Sequence, residues 1–431
     1  MVSTGKKIQP ARTRFYAAFI LTFVFRDPGR GKAGSYIVAI GPFESGGTAT
    51  YPGHVFYFAP HGKPSQPVCY FHVVKGTSVY YYDPFSKGGS DDTARCVTAD
   101  AHQSLESLND DQKSQYEAHV VNMEFGEAYK EFTGGSEWLA MYPKSPPSHH
   151  IWDTDYFGQE HTVKTRETHF KQLPPSRELK ALTSESMRRN DPMAIPFKEY
   201  RTNETFMDVT LKVVSCEPRI FEIPHLISDI EADHLLDLSM GKGLHRSTTG
   251  DLRRGSKHSD VSSTRTSTNA WISRYSSPIV DAIYRRVADV LLIDEALLRF
   301  RMADEKPETP TKQSLSEDLQ LVHYDVGEEY TTHHDFGYPD TRHPESPSRS
   351  INILLYLNDD DLEGGETSFP RWRNAHTDGG LDVKPEKGKA ALFYMVGPDG
   401  NRDDLTQHAA LPVIKGEKYM ANLWIWDPIK P

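Results

Sequence analysis

The feature that most constrains the fold is a series of short β-type runs in the C-terminal half. The runs cover residues 319–324, 350–357, 390–396 and 419–426, with Gly, Pro and Asp at the turns between them. No cysteine follows Cys216, so this half cannot rest on disulfide bonds. Short strands of this kind close into two packed sheets, and the pattern predicts a double-stranded β-helix, or jelly roll.

Local signals predict a pair of helices before these strands. The first helix begins after Ser228, which forms a capping box with Glu231, and it ends near Gly243. Its apolar stripe consists of Ile230, Leu235 and Leu238. The second helix opens at Ser277 and Pro278. We therefore expect a helix pair packed on the jelly roll.

The length of 431 residues favours more than one domain. We predict a mainly β fold with some α structure, divided into three parts. Residues 1–100, with β-type runs broken by Gly and Pro, form a small β-sandwich-like domain. Residues 101–210 form a linker or irregular region, and residues 211–431 form the jelly-roll domain with its supporting helices.

Composition restricts the partners and the compartment. The net charge of −11, without long basic stretches, argues against nucleic acid as a partner. The apolar run at residues 15–25 is too short to span a bilayer, and we favour a buried strand there over a signal or anchor. With only three cysteines, a reducing compartment such as the cytoplasm is favoured. The lumen or membrane of the endoplasmic reticulum remains the alternative if residues 15–25 act as a signal or anchor.

The residues with the clearest chemistry are His333, Asp335 and His408. Side chains at i and i+2 of a strand point to the same side, so His333 and Asp335 can face one metal ion. With His408 from another strand, they complete a set of two imidazoles and one carboxylate, which suits Fe(II) with open coordination positions. A His-x-Asp pair alone is weak evidence for a metal site, because it is more often a pair of surface or capping residues.

Lys418 follows His408 by ten residues and enters an apolar strand. A lysine on the inner side of such a strand is costly to desolvate unless it meets an anion, and a dicarboxylic acid would supply one. The alternative is a solvated lysine near a turn.

Together these motifs resemble the prolyl 4-hydroxylase family of Fe(II)- and 2-oxoglutarate-dependent dioxygenases. The resembling blocks are residues 220–224, 265–267, 322–335, 354–358, 364–370, 383–388 and 408–424. Residues 221–224, 240–247 and 398–400 look most like the transmembrane branch, although the chain lacks that branch's EF-hand insert and a credible membrane span. The resemblance implies 4-hydroxylation of peptidyl proline, coupled to oxidative decarboxylation of 2-oxoglutarate to succinate and CO2. It also implies O2 as cosubstrate and ascorbate as reductant.

The resemblance also implies roles for individual residues. His333, Asp335 and His408 would bind Fe(II), and Lys418 would pair with the distal carboxylate of 2-oxoglutarate. Tyr324 and Tyr356 would donate hydrogen bonds to this cosubstrate. The positions that match the substrate groove of family members are Tyr330, Arg349, Trp424 and Arg265. For Trp424, packing in a core strand is the alternative.

Residues 48–58 are similar to a stretch of the β domain of the von Hippel–Lindau protein, a module that recognises hydroxyproline. The positions that would contact hydroxyproline are Tyr36, Thr50, His54 and Phe56. In the competing interpretation, His54 is an ordinary hairpin residue and Phe56 is an aromatic residue of the core.

Two other functions remain open. One is a 2-oxoglutarate oxygenase on the same scaffold that acts on another residue or on a small molecule. The other is a non-catalytic protein that binds hydroxyproline or peptides. The favoured partner is a proline-containing peptide or protein, and the sequence does not determine the oligomeric state.

Overall fold

A computed structural model describes most of the chain and divides it into two compact units. The units are Met1–Lys144 with Tyr338–Ser346, and Ser145–Gly337 with Pro347–Pro431. The described residues are 11–17, 21–26, 35–40, 44–50, 52–63, 65–74, 79–82, 95–96, 105–166, 169, 206–247, 265–301, 313–337, 339, 348–374 and 379–427. Among these residues, no helix is both long and apolar enough to cross a membrane.

The first unit contains two four-stranded sheets, with strand orders β4-β1-β7-β8 and β3-β2-β5-β6. The strands are β1 (Ala11–Ala17), β2 (Leu21–Arg26), β3 (Ser35–Ile40), β4 (Glu44–Thr50), β5 (Val55–Pro60), β6 (Cys69–His72), β7 (Val79–Tyr82) and β8 (Arg95–Cys96). The strand predicted over residues 15–25 is thus part of two strands, with 18–20 outside the described residues. Buried aromatic residues from β5, β6 and β7, among them Phe58, Phe71 and Tyr80, form the core of this unit.

The proposed hydroxyproline-contacting positions are largely closed. Thr50 is 0% exposed and Phe56 is 2% exposed, and Phe56 belongs to the core. The hydroxyl of Thr50 lies 2.9 Å from His54 Nδ1. The side chain of Tyr36 lies outside the described residues. Burial of Thr50 and Phe56 leaves no open wall for a peptide at these two positions, which favours the core interpretation of Phe56.

The region predicted as a linker contains regular structure. Helix α1 (Asp110–Phe132) begins at Asn109, which forms a capping box with Gln112. Its buried residues are His119, Asn122 and Met123. Because most of the buried positions are polar, the helix has no clear apolar stripe from which it could be predicted.

Among the described residues, the second unit holds the remaining strands and two α-helices. The strands are β9 (Glu160–Arg166), β10 (Phe206–Ser215), β11 (Ile220–Ile223), β12 (His245–Arg246), β13 (Thr268–Ile272), β14 (Leu319–Tyr324), β15 (Tyr330–His333), β16 (Arg349–Tyr356), β17 (Glu363–Gly364), β18 (Thr367–Phe369), β19 (Leu381–Val383), β20 (Ala390–Tyr394), β21 (His408–Ala410), β22 (Val413–Lys415) and β23 (Lys418–Trp426). The helices are α2 (Asp229–Lys242) and α3 (Pro278–Leu291). This unit is the predicted jelly roll with supporting helices.

Its sheets differ in size. The large sheet has nine strands in the order β12-β13-β14-β23-β16-β20-β11-β10-β9, and a smaller sheet has the order β15-β21-β18-β19. A two-stranded sheet pairs β17 with β22. Because β9 and β10 belong to the large sheet, the unit starts well before the predicted boundary at residue 211.

The side chains of strands β16 and β23 show what packs on each face of the large sheet. Ile353 of β16 and Leu423 of β23 pack with Leu235 of α2 and Ile283 of α3 in one apolar core. The alternate residues of these strands point to the opposite face, because side chains in a strand alternate in direction. There Phe369 of the small sheet packs on Phe393 of β20, with ring centroids 5.2 Å apart. The helices therefore cover one face, and the small sheet covers the other.

The predicted helix starts are confirmed. Ser228 and Glu231 form the capping box of α2, and Ser277 caps α3 with Pro278 in its first turn. Glu231 is also the partner of the fully buried Arg286, at 2.6 and 3.0 Å. The expected burial of Ile230 is wrong, because this side chain is 41% exposed.

The cysteines bear on the expected compartment. Cys69 is disulfide-bonded, whereas Cys216 is a free thiol. The expectation of a reducing compartment therefore stays a prediction.

Candidate active site

Three side chains converge between two neighbouring strands of the small sheet. His333 ends β15 and lies directly opposite His408, the first residue of β21. The Nε2 atoms of His333 and His408 each lie 3.5 Å from a carboxylate oxygen of Asp335. One ligand atom from each of the three residues lies within 4.8 Å of the others. The predicted cluster of two imidazoles and one carboxylate is present.

Asp335 lies outside the strand that carries His333, whereas the sequence predicted that both residues lie on one strand. Strand β15 ends at His333, so Asp335 lies in the bend that follows rather than on the strand itself. His334 turns away, with its Nε2 atom 3.1 Å from the carbonyl oxygen of Asp404. The bend therefore brings the carboxylate beside the imidazole of His333.

Backbone carbonyls orient both imidazoles. His333 Nδ1 lies 2.8 Å from the carbonyl oxygen of Thr331, and His408 Nδ1 lies 3.0 Å from that of Thr406. A carbonyl only accepts hydrogen bonds, so Nδ1 carries the proton in each ring. Each Nε2 atom consequently presents its lone pair to the centre of the cluster, which is the arrangement of metal-bound histidine.

The carboxylate of Asp335 is held by two donors. Asn352 Nδ2 and Trp424 Nε1 donate to Oδ2 at 3.0 and 2.8 Å. Burial alone would raise the pKa of Asp335, but the neighbouring imidazoles of His408 and His333 hold it well below its usual range. Burial and the nearby His408 together lower the pKa of His333 to about 4. At neutral pH the carboxylate of Asp335 is thus anionic and the imidazole of His333 is neutral.

This donor set fits a divalent transition metal. Metal bonds of about 2.0–2.2 Å to N and O ligands require donor atoms roughly 3.0–3.4 Å apart. The distances of 3.5 Å in the cluster are close to that range, so small side-chain movements suffice. Two imidazoles and one carboxylate leave positions open for further ligands, which is typical of non-haem Fe(II) oxygenases.

Lys418 supplies a buried positive charge on the same face of the large sheet as Trp424. The side chain is 0% exposed, and among the described residues its Nζ atom has no hydrogen-bond partner. The Nζ atom lies 5.3 Å from the ring centre of Tyr324 and 5.9 Å from that of Tyr356. Burial lowers the pKa of Lys418 to about 7. An ammonium this deeply buried is costly without a counter-ion, so the position fits an anionic ligand.

The surroundings of Lys418 also identify a residue that the sequence did not single out. The hydroxyl of Tyr356 donates to Thr367 Oγ1 at 2.9 Å, although the sequence assigned this hydroxyl to the cosubstrate. Thr367 lies in the block 364–370 that resembles the family, so the sequence could have pointed to this residue.

Gly365 has a φ of +70°, and a Cβ atom there would lie 3.1 Å from Lys418 Cδ. Glycine thus leaves room for the lysine side chain.

One predicted groove residue, Tyr330, lies against the cluster, and a second, Arg265, packs on Tyr330. The ring of Tyr330 stacks on His333, with centroids 3.6 Å apart. The guanidinium of Arg265 lies 4.8 Å from the ring centre of Tyr330 and donates to Gln320 at 3.3 Å. Tyr330 is partly exposed, whereas Arg265 is 8% exposed. Tyr330 therefore joins the cluster to the surface.

Arg349 and Trp424 form a more buried layer. Trp424 is 4% exposed, and the guanidinium of Arg349 lies 3.7 Å from its ring centre. Both carboxylate oxygens of Glu317 accept hydrogen bonds from Arg349, at 2.6 and 2.8 Å. The sequence did not point to Glu317, because its partners are distant along the chain. This layer places the indole N–H of Trp424 against Asp335.

Comparison with known proteins and the geometry of the site both indicate a non-haem Fe(II) oxygenase. Residues 319–426 match the model of the 2OG-Fe(II) oxygenase superfamily. The chain is 32% identical to "Probable prolyl 4-hydroxylase 8" of Arabidopsis thaliana, over 50% of this chain and 71% of that protein. It is 31% identical to "Prolyl 4-hydroxylase 2" of the same plant, over 50% of this chain and 69% of the relative.

A solved structure also appears among the similar proteins. It is the viral collagen prolyl hydroxylase of Paramecium Bursaria Chlorella virus-1 in its 2OG complex, with 26% identity and a TM-score of 0.35. The match covers 48% of this chain and 95% of the viral protein. The sequence relatives and the superfamily match, together with the site geometry, show that the chain belongs to the prolyl 4-hydroxylase family of Fe(II)- and 2-oxoglutarate-dependent dioxygenases.

Proposed function

We propose that this chain hydroxylates C4 of proline in a peptide and couples this to oxidative decarboxylation of 2-oxoglutarate to succinate and CO2. The observation that carries the proposal is the combination of the His333, Asp335 and His408 cluster with the unpaired ammonium of Lys418. One part suits Fe(II), and the other suits the distal carboxylate of a dicarboxylic acid. The relatives named as prolyl 4-hydroxylases support proline as the target.

In this proposal His333, Asp335 and His408 hold the iron through Nε2, a carboxylate oxygen and Nε2. When bound, Fe(II) supplies the redox chemistry that couples cleavage of 2-oxoglutarate to transfer of an oxygen atom from O2 to the substrate. Thr331 and Thr406 keep both imidazoles in the ligating tautomer through their carbonyls. Asn352 and Trp424 hold the carboxylate of Asp335 in place with the hydrogen bonds that they donate. The protein therefore arranges the ligands before the metal arrives.

Lys418 binds the distal carboxylate of 2-oxoglutarate, and this anion satisfies the buried ammonium. Tyr324 and Tyr356 flank the Nζ atom, and burial raises the pKa of Tyr324 to about 12. Both phenols are therefore protonated at neutral pH and can donate hydrogen bonds. Tyr356 already donates a hydrogen bond to Thr367. Thr367 therefore either contacts the cosubstrate together with Tyr356 or holds the Tyr356 side chain in position.

Tyr330 and Arg265 contact the peptide at the rim of the site. Tyr330 stacks on His333 and is partly exposed, so a proline held against its ring lies beside the metal. Arg349 and Trp424 act behind this rim through Asp335. Ascorbate would serve as the reductant, as the resemblance to the family implies.

The substrate assignment is tested by incubating an array of proline-rich peptides with the protein, Fe(II), 2-oxoglutarate and O2. We expect a mass gain of one oxygen atom on proline, with one succinate formed for each hydroxylation. Oxygen gained only on another residue would favour a different oxygenase. Succinate at background level with every peptide would favour a binding protein. Either result would contradict the proposal.

The site assignment predicts different defects for two substitutions. His408→Ala removes a metal ligand and is expected to abolish peptide-dependent succinate release. Lys418→Ala removes only the partner of the distal carboxylate, so the KM for 2-oxoglutarate should rise by about 10- to 100-fold, the value of a charge-assisted hydrogen bond. Lys415→Ala, whose side chain is 53% exposed, is the matched control and should behave as the wild type. Unchanged kinetics in both test variants would overturn the assignment.

The low pKa of Lys418 predicts a pH dependence of cosubstrate binding. Below about pH 7 the free protein carries the ammonium that pairs with the anion, whereas above it the amine becomes neutral. The dissociation constant of 2-oxoglutarate should therefore rise about tenfold per pH unit above that point. Lys418→Arg stays charged and should remove this dependence. Anaerobic calorimetry measures both proteins, and the same pH profile in both would contradict Lys418 as the titrating group.

The indole of Trp424 is expected to support metal binding through Asp335. Trp424→Phe keeps an aromatic ring beneath Arg349 but removes the N–H donor, so the dissociation constant for Mn²⁺ should rise by about 10- to 100-fold. Trp271→Phe is the control, because the ring of Trp271 lies 6.2 Å from that of Trp424 and is 42% exposed. Anaerobic equilibrium dialysis gives both affinities. Equal affinities in the two variants would remove this role from Trp424.

A further inference from the structure

We propose a second divalent-metal site formed by His323, Asp325 and Glu417. His323 Nε2 lies 3.2 Å from Glu417 Oε2 and 3.7 Å from Asp325 Oδ1. One ligand atom from each of the three residues lies within 4.8 Å of the others, as in the cluster of His333, Asp335 and His408. The site is separate from that cluster, and the proposal does not depend on the function proposed above.

The two strands that carry this site also carry Lys418, but on their other face. In the pairing of β14 with β23, His323 lies opposite Tyr419, and Tyr324 lies opposite Lys418. Neighbouring residues of a strand point to opposite faces, so His323 and Tyr419 lie on the face away from the buried ammonium. A metal held there would bind β14 to β23 directly behind the Tyr324–Lys418 pair.

The imidazole of His323 is oriented for ligation. It is 8% exposed and stacks on Tyr419, with ring centroids 4.4 Å apart. Its Nδ1 atom lies 3.4 Å from Thr268 Oγ1, which leaves Nε2 towards the two carboxylates. A metal-bound histidine is typically held in this way by a polar group at its other nitrogen.

Glu417 is held through its backbone carbonyl and through its carboxylate. Asn358 Nδ2 donates to the Glu417 carbonyl at 2.8 Å, and Tyr419 N–H donates to Asn358 Oδ1 at 2.7 Å. The hydroxyl of Tyr419 donates to Glu417 Oε2 at 2.9 Å. These bonds keep the carboxylate near His323 although its side chain is 54% exposed.

The spacing suits a small transition-metal ion. Donor atoms around such an ion lie roughly 3.0–3.4 Å apart, so the pair of His323 and Glu417 is already in range. Asp325 is 66% exposed, and its Oδ1 atom lies 3.7 Å from His323 Nε2, so this side chain has to move closer to complete the set. One imidazole with two carboxylates is a donor set for Zn²⁺ or Mn²⁺, and water completes the coordination at this surface position. Without a metal, the same residues form an ion pair when His323 is protonated.

The test measures Zn²⁺ bound to the untagged full chain by equilibrium dialysis and elemental analysis. Wild type is expected to bind one equivalent more than His323→Ala and one more than Glu417→Gln, at a free Zn²⁺ concentration that saturates the wild type. Glu417→Gln is included because its exposed side chain can be changed without disturbing the core. Asp233→Asn is the matched control, since Asp233 is an ion-paired carboxylate with 59% exposure, and it should bind as wild type does.

A double variant separates this site from the first one. His333→Ala with His408→Ala should keep the equivalent of Zn²⁺ that His323→Ala loses. The proposal is overturned if His323→Ala and Glu417→Gln bind as much Zn²⁺ as the wild type. It is also overturned if the double variant loses the equivalent that those variants lose. Both measurements are independent of hydroxylase activity.

Discussion

The register between β15 and β21 is the constraint on which the active site depends. It sets His333 opposite His408 across a pair of antiparallel strands. A shift by one residue would turn one of the two imidazoles to the other face of the small sheet, because side chains alternate in direction along a strand. The register is supported by Phe369 and Phe393, whose rings lie 5.8 and 5.0 Å from that of His408. Packing between the two sheets thus determines the position of a metal ligand.

The large sheet supplies the rest of the site from one of its faces. Asn352 of β16 and Trp424 of β23 are directly paired, and both donate to Asp335. Lys418 begins the same strand β23, so the anion site and the support of the carboxylate share one rigid element. The opposite face packs on α2 and α3, which leaves the sheet little freedom to move. The fold thereby holds a charged cosubstrate site and a metal site at a fixed separation.

Local signals explain which parts of the structure were predictable. The capping residues Ser228 and Ser277 act within a few positions of themselves, so the starts of α2 and α3 could be predicted from neighbouring residues. The cluster of His333, Asp335 and His408, and the burial of Lys418, were predicted from residue types and order, supported by a family resemblance. Some helix was considered possible within residues 86–200, but α1 could not be located there because its buried face is polar. The hydroxyproline-contacting role of Tyr36, Thr50, His54 and Phe56 stays a prediction, and a short motif does not reveal that Thr50 and Phe56 are buried.

The supporting residues could not be predicted in the same way. Glu317 binds Arg349 across 32 positions of the chain, and Asn352 reaches Asp335 across 17. Such contacts depend on strand pairing, which no local pattern encodes. Thr367 lies in one of the blocks that resemble the family, but its contact with Tyr356 depends on the packing of the small sheet on the large sheet. The residues that carry the chemistry could therefore be predicted from the sequence. The residues that hold them in position could be identified only from the fold.

X-ray absorption spectroscopy of the iron-loaded protein tests the central claim most directly. The account predicts an Fe(II) ion with two imidazole ligands and otherwise oxygen ligands, and a change in the oxygen ligands when 2-oxoglutarate is added without O2. An iron environment with no imidazole, or one that 2-oxoglutarate leaves unchanged, would contradict it.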